Sequence, residues 1–579
     1  MITGCTRKIA ALLAAGVALT ATPVAAQTQT ILEAPAGRVR GEQDGAVRVF
    51  RGLPYAEAPV GSRRWRPPAP SPSWGGVRDA TRFGAACPQP ASPFHDHAAV
   101  SEDCLFLNVW TSAGAQDAPV LVWIHGGSLV SGAGSDPLYD GSAFADRGVV
   151  VVTINYRLGA LGWLAHPALS AESPEGVSGN YGLLDQIEAL RWIQRNIRAF
   201  GGDPGRVTIA GESAGALSAL YLMTAPEARG LFHGVIAQSA YLITMPELRD
   251  GRWTDWPDAE TAGAALADRL GAPSLEALRD LDTAALVGSD ARSPWIPLGV
   301  IDGRHLPRQP IEVFDRGDQA DVPLLAGYNE GEIRSLRFLL PPAPADTESY
   351  EREIRARYGD LAEAFLRNYP SADLDASRLS ATRDALYGWT SERIVRDQTA
   401  LGQAAFLYMF NHGYPAAEAA GLRAFHGSEI PFVFGGIDAT PGYWPAIPAT
   451  ATEQRLSDAM TDFWAGFARD GRPGEVDGVR WSPYGEDRDY MAFENAPIMR
   501  AAPPNGFDLV EEVVCRRRGA GLAWHWNVGT IAPPLPVLGL GPGENREPES
   551  CGLGFGRPVA NTPERPGSGL SATAERRRR

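Results

Sequence analysis

One serine in this chain stands where a nucleophile can be held. Gly211-Glu212-Ser213-Ala214-Gly215 has the form Gly-x-Ser-x-Gly, and no second match occurs in the 579 residues. A serine hydroxyl attacks a carbonyl well only when a base takes its proton, and imidazole has a suitable pKa. The pattern alone is weak. With 64 glycines in the chain, about 0.4 matches arise by chance, and the bland alternative is a glycine-rich turn with a solvated serine. Order along the chain adds weight, because a serine on a strand-to-helix turn is followed first by its acid and then by its histidine. His233, His305, His412, His426 and His525 follow Ser213. His426, in the loop Phe425-His426-Gly427-Ser428, is the preferred base. Glu330, in Asn329-Glu330-Gly331, is the preferred acid, with Glu332 competing and Asp302 more distant. Acyl transfer also needs donors for an oxyanion, and glycines let backbone N–H groups come close to it. His125-Gly126-Gly127-Ser128 supplies such a stretch, so the N–H groups of Gly127, Ser128 and Ala214 are assigned to the oxyanion hole.

These residues need a frame, and the sequence alternates strand and helix signals around them. Continuous apolar runs at 119–124 (PVLVWI) and 149–154 (VVVVTI) read as strands buried on two faces, as in a parallel sheet. Residues 207–210, 322–326 and 405–410 are further strands. Apolar residues at helical spacing over 180–200, ending at Gly201-Gly202, predict a helix, and 214–223 predicts another directly after Ser213. This places Ser213 between a strand and a helix, the oxyanion glycines after the strand ending at Ile124, and Glu330 after the strand ending at Ala326. The fold class expected is α/β, a mostly parallel central sheet with helices on both faces. Residues 240–320 and 340–400 carry helical patterns without strands and are expected to form cap insertions.

Composition removes other classes of function. The formal charge of −15 argues against a nucleic-acid partner held by phosphate neutralisation. Lys8 is the only lysine, which excludes Schiff-base, Ser–Lys and P-loop chemistry from the rest of the chain. Residues 1–26 read as a secretory signal: Arg7 and Lys8, a short apolar run from Ile9 to Leu19, then the small residues Val24-Ala25-Ala26. No later stretch is long and apolar enough to suggest membrane insertion. Export to a bacterial periplasm or the extracellular space is therefore expected, with a main domain over 27–535 and a Pro/Gly-rich, disordered tail over 536–579. No Cys-x-x-Cys or His-Glu-x-x-His spacing suggests a metal site. Cys87 and Cys104 enclose a short polar loop that a disulfide would pin by on the order of 3 kcal/mol, the alternative being two free thiols. Whether Cys515 pairs with Cys551, and the oligomeric state, stay open.

Taken together, the sequence resembles the type-B carboxylesterase family, which also contains the cholinesterases. The pieces that carry the likeness are 50–56 (FRGLPYA), 101–109 (SEDCLFLNV), 180–185 (NYGLLD), 200–204 (FGGDP), the 211–215 elbow and 426–431 (HGSEIP). The likeness runs from about residue 37 to about residue 494. It implies an α/β-hydrolase fold, a Ser213–Glu330–His426 triad, hydrolysis of small-molecule carboxylic esters through an acyl-enzyme, and no metal or cofactor. It also implies a Cys87–Cys104 bridge and an Arg64–Glu102 pair. Two departures stand out. Ser128 occupies the third position of the family's glycine loop, where a backbone N–H does the work, so activity should survive. Residues 88–103 contain no tryptophan, so a quaternary-ammonium substrate is not expected. The competing readings are a catalytically silent binding protein and an amidase or peptidase using the same triad.

Overall fold

The computed structural model describes residues 28–91, 99–251, 257–288, 295–503, 507–524 and 528–536. The expected signal at 1–26, nearly all of the expected tail, His525 and Cys551 lie outside the described residues. Eleven strands are β1 (Thr28–Ala34), β2 (Gly37–Asp44), β3 (Val47–Pro54), β4 (Val77–Asp79), β5 (Phe106–Ser112), β6 (Ala118–Ile124), β7 (Val150–Ile154), β8 (Gly202–Glu212), β9 (Gly234–Gln238), β10 (Leu324–Asn329) and β11 (Ala405–Phe410). With Asp489–Phe493 and Pro497–Ala501 they form one 13-stranded sheet in the order β1-β2-β3-β5-β7-β6-β8-β9-β10-β11, then the two last strands, with β4 beside β2. From β7 to Asp489–Phe493 every neighbouring pair is parallel. At the other end β1, β2, β3, β5 and β7 pair antiparallel, with β4 parallel to β2.

The apolar runs become central strands because both faces of the sheet are covered. Val120, Val122 and Ile124 of β6 face one core, while Leu121 and Trp123 face the other. Val150, Val152 and Ile154 of β7 likewise oppose Val151. A strand with water on one side would alternate apolar with polar residues; these are apolar at nearly every position, and the one hydroxyl in them, Thr153, donates to the Gly134 carbonyl. The helix Tyr181–Asn196 lines the first core with Leu183, Leu184, Ile187, Leu190 and Ile193, and the helix Ala451–Asp470 lines the second with Leu456, Met460, Phe463, Trp464 and Phe467. At the end of the first, Ile197–Phe200 tightens to a 3-10 turn and Gly201 takes φ 86°, a left-handed stop that glycine adopts without a Cβ penalty.

Among the described residues no sheet strand lies between β9 and β10 or between β10 and β11. Helices occupy both intervals, among them Ala259–Arg269 in the first, and Leu374–Arg383 and Trp389–Ala400 in the second. Asn180 joins the first interval to the sheet helices: its side-chain amide donates to the Val300 carbonyl and accepts from the Val300 N–H, both at 2.8 Å. Near the antiparallel end, Cys87 and Cys104 are disulfide-bonded. Arg64 grips Glu102 through Nε at 2.9 Å and Nη2 at 2.5 Å, while its Nη1 donates to the carbonyls of Arg279 and Leu281.

Candidate active site

Ser213 sits in the one-residue corner between β8 and the helix Ala214–Thr224, with φ 56° and ψ −120°. That backbone setting costs of order 1–3 kcal/mol for a residue with a side chain and persists only when its surroundings enforce it. Here they do. The Ser213 N–H donates to the Gln238 carbonyl at the end of β9 (2.9 Å), and the Ser213 carbonyl accepts from Leu217. The flanking glycines are demanded by close approach: a Cβ on Gly215 would lie 2.0 Å from the Ile124 oxygen, and one on Gly211 would lie 2.5 Å from the Gly215 carbonyl carbon. Gly126 faces the same corner, where a Cβ would meet the Glu212 oxygen at 2.8 Å and the Ser213 Cβ at 3.3 Å. The small residues of the motif thus let the glycine loop after β6 and the serine corner interlock.

His426 reaches this corner from the loop after β11, as expected, but its carboxylate partner differs from the expected one. His426 Nδ1 lies 2.5 Å from Glu332 Oε2. The other Glu332 oxygen accepts from Ser239 Oγ (2.6 Å) and from the Asn329 N–H (2.8 Å), and the residue is fully buried. Glu330, the carboxylate that the sequence favoured, points away toward Arg383 (3.9 Å) and Arg423 (3.6 Å). The physical reason is local. Backbone bonds from Glu330 N–H to the Phe410 carbonyl and from Gly331 N–H to the Ala424 carbonyl clamp this loop against the one carrying His426, and the turn at Gly331 then carries the chain inward. Only the residue after that turn faces the imidazole. Asp302 is also remote in role: its carboxylate caps the turn 302–306 and accepts from Asn180.

Two buried carboxyls that the spacing argument did not single out complete the cluster. Glu212 Oε1 is 3.1 Å from His426 Nε2. Glu429 accepts from Gln238 Nε2 at 2.9 Å and from Asn329 Nδ2 at 2.5 Å. Both residues were in view, at the x before Ser213 and in the 426–431 segment, but no rule of spacing marks either as part of an acid cluster. Burial pushes Glu212 up to about 8, with the carboxyls of Glu429 and Glu332 adding to the rise against the pull of His426. Glu429 is raised chiefly by burial as well. Burial alone would lower His426, but the charges of Glu212 and Glu332 and the bond to Glu332 outweigh it and raise the imidazole to about 9. The shifts are linked, since a proton on Glu212 removes part of the attraction that raises His426. Ser213 Oγ makes no hydrogen bond among the described residues.

Opposite the serine, the chain after β6 makes three successive left-handed turns, at Gly127 (φ 95°), Ser128 (φ 57°) and Leu129 (φ 60°). A Cβ at Gly127 would fall 2.2 Å from the Ser131 oxygen, so glycine is required there. The N–H groups of Gly127, Ser128 and Ala214 make no hydrogen bond among the described residues, and Ala214 is the first residue of its helix, where N–H groups lack an intrahelical acceptor. Further support comes from Gln89, in the disulfide loop, which donates to the Gly132 carbonyl (3.0 Å) and accepts from its N–H (2.8 Å). Tyr156 stacks on His125 at 4.5 Å and donates to its carbonyl.

The other described histidines are placed elsewhere. His412 is buried among Phe410, Tyr414 and Phe432, His233 accepts from the Val207 N–H, and His305 lies between Glu175 and Glu227. Among the described residues no group of three or more His, Cys, Asp or Glu side chains is arranged to hold a metal ion. No helix of the described residues is long and apolar enough to cross a membrane.

Comparison with known proteins agrees with this frame. The carboxylesterase family model matches residues 28–505. Fumonisin B1 esterase of Sphingopyxis macrogoltabida is 38% identical over 498 residues, spanning 82% of this chain and 88% of that protein. Para-nitrobenzyl esterase of Bacillus subtilis is 34% identical over 478 residues, spanning 79% and 94%. Among solved structures, a carboxylesterase of Geobacillus stearothermophilus superposes with a TM-score of 0.71 at 33% identity, covering 85% of this chain and 99% of its own. A serine corner on a mostly parallel sheet, a histidine and buried carboxyls at that corner, and these relatives lead to one conclusion: the chain belongs to the carboxylesterase family, has the α/β-hydrolase fold and is a carboxylic-ester hydrolase.

Proposed function

We propose that the chain hydrolyses carboxylic esters by a Ser213–His426–Glu332 triad. The observation that carries this reading is the fully buried Glu332 carboxylate against His426 Nδ1, on the histidine loop that faces the Ser213 corner. Glu332 holds the Nδ1 proton in place, which leaves Nε2 unprotonated; it turns from Glu212 Oε1, now 3.1 Å away, to take the Ser213 proton as Oγ attacks the ester carbonyl. The oxygen then becomes an anion, met by the N–H groups of Gly127, Ser128 and Ala214. Loss of one such donor typically costs about 100- to 1000-fold in rate. The protonated His426 gives its proton to the leaving alcohol, and the acyl group stays on Ser213. Water, deprotonated by His426, attacks the acyl-enzyme, and His426 returns that proton to Ser213 Oγ as the carboxylic acid leaves.

Nothing in this sequence of steps fixes the acyl or alcohol group. The relatives are named for esters as different as fumonisin B1 and a para-nitrobenzyl ester, so fold and triad do not choose between them. The residues at 1–26 and the Cys87–Cys104 bridge support export to an oxidising compartment. The test is hydrolysis of p-nitrophenyl esters from acetate to decanoate by the wild type and Ser213→Ala. Turnover by the wild type and a fall of several orders of magnitude in the variant are expected, and the chain-length profile reports pocket depth. Equal rates in the two proteins would contradict the assignment.

A further inference from the structure

Outside the catalytic corner, the structure holds a cavity of about 110 Å³ whose wall includes Arg334, Arg383 and Arg423, with Ser380 and Glu330 beside them. Three guanidiniums around one small cavity are unusual for a chain of formal charge −15. A tight pair in this molecule looks different: Arg157 holds Asp185 through two bonds of 2.7 Å, both side chains buried. In this cavity the pairing is loose. Glu330 stands 3.9 Å from Arg383 and 3.6 Å from Arg423, beyond hydrogen-bond reach, and among the described residues Arg423 has only Glu418 at 4.0 Å besides. Arg334 donates to the Gly421 carbonyl and has no carboxylate within 4.0 Å among the described residues. Arg383 is held by the Asp384 carboxylate and the Glu330 carbonyl, which fixes its fork at the wall.

We propose that this cavity binds a small, multiply charged oxyanion of the phosphate or polycarboxylate class, displacing the Glu330 carboxylate from between the arginines. Guanidinium forks match the paired oxygens of such anions, Ser380 adds a hydroxyl donor, and the apolar side chains of Ile333 and Leu379 reduce competition from water. A volume of about 110 Å³ compares with the roughly 30 Å³ that one water occupies in the liquid, so a phosphate-sized ion fits. A singly charged ion would only replace the charge that Glu330 already supplies, so at least two negative charges are needed for a net gain. Both catalytic loops take part: Glu330 is on the loop that carries Glu332, and Arg423 is on the loop that carries His426. An anion bridging them ties the two loops together from behind.

The test is isothermal titration of the full-length protein with inorganic phosphate, and in parallel with citrate, at fixed ionic strength set by sodium chloride. Saturable binding at one site is expected. Removing two of the three guanidiniums in R334Q/R423Q should weaken it at least about tenfold, since each contributes charge-assisted bonds. E330Q, which removes the internal competitor, should tighten it. Ester hydrolysis without added anion should be unchanged in both variants, which shows that they are folded. The ratio of phosphate to citrate affinity identifies the ligand class. Absence of saturable binding for both anions, equal affinity in R334Q/R423Q, or weaker binding by E330Q would each overturn the proposal.

Discussion

Glu332→Gln is the substitution that most sharply separates the catalytic geometry from the order of residues along the chain. The Glu332 Oε1 atom accepts two bonds, from Ser239 Oγ and from the Asn329 N–H. In the glutamine variant the amide oxygen must take that position, because an NH2 there would face two donors. The NH2 therefore lands where Oε2 now meets His426 Nδ1 at 2.5 Å. To accept from it, the imidazole must carry its proton on Nε2, and that tautomer cannot take the Ser213 proton. Trapping the wrong tautomer in a serine triad costs about 10⁴ in kcat, so a loss of roughly 10³–10⁴, or about 4–5.5 kcal/mol of barrier, is expected here. KM should change little. Glu330→Gln alters only partly exposed contacts longer than 3.5 Å, and kcat should stay within about twofold. The assay is steady-state hydrolysis of p-nitrophenyl butyrate, with thermal melts to confirm that both variants fold. A large loss in Glu330→Gln with Glu332→Gln spared would refute the reasoning.

Three further outcomes follow from the same geometry. In Glu212→Gln, removing a buried carboxyl 3.1 Å from Nε2 should lower the His426 pKa, so the rising acid limb of the pH–kcat/KM profile should move to lower pH by about one unit; an unmoved or upward-shifted limb would contradict the linkage. Gly126→Ala forces a methyl to within 2.8 Å of the Glu212 carbonyl, and esterase activity should fall at least about 100-fold while the far-ultraviolet circular dichroism stays native; full activity would show that the two turns do not interlock. Replacing Cys87 and Cys104 by serine should cost on the order of 3 kcal/mol in denaturant unfolding and also reduce kcat, because the disulfide loop holds Gly132 through Gln89; a loss of stability with kcat unchanged would deny that support.

What the sequence disclosed, and what it hid, divides along a physical line. Strands β6, β7, β10 and β11 were legible because a strand covered on both faces is apolar at nearly every position, as 149–154 is apart from Thr153. The helix after Asn180 and its stop at Gly201 were legible for the same kind of reason, a stripe and a left-handed terminus. The antiparallel end of the sheet was not read: β2 (GRVRGEQD), for one, mixes arginine with valine and is half exposed, so no clean period marks it. β9, Gly234–Gln238, is only five residues long, too short a run to stand out by its pattern. At the site, motif and order pointed to Ser213, His426 and Glu330, whereas the carboxylate that lies against His426 is Glu332, two residues further on. Spacing from the end of β10 cannot tell Glu330 from Glu332, because the choice depends on hydrogen bonds to Phe410 and Ala424, residues about 80 to 95 positions away in the chain. Glu212 and Glu429 become a cluster with Glu332 only when three loops are brought together, and no local pattern encodes that meeting.

The central claim is that Ser213 carries the acyl group, and the most direct measurement is to trap it. The protein would be mixed with p-nitrophenyl butyrate, quenched in acid within milliseconds, digested, and mapped by mass spectrometry. The account expects a butyryl adduct confined to the peptide containing Ser213, together with a burst of p-nitrophenol no larger than one equivalent, and neither in Ser213→Ala. An adduct on another residue, or a burst that survives in Ser213→Ala, would contradict it.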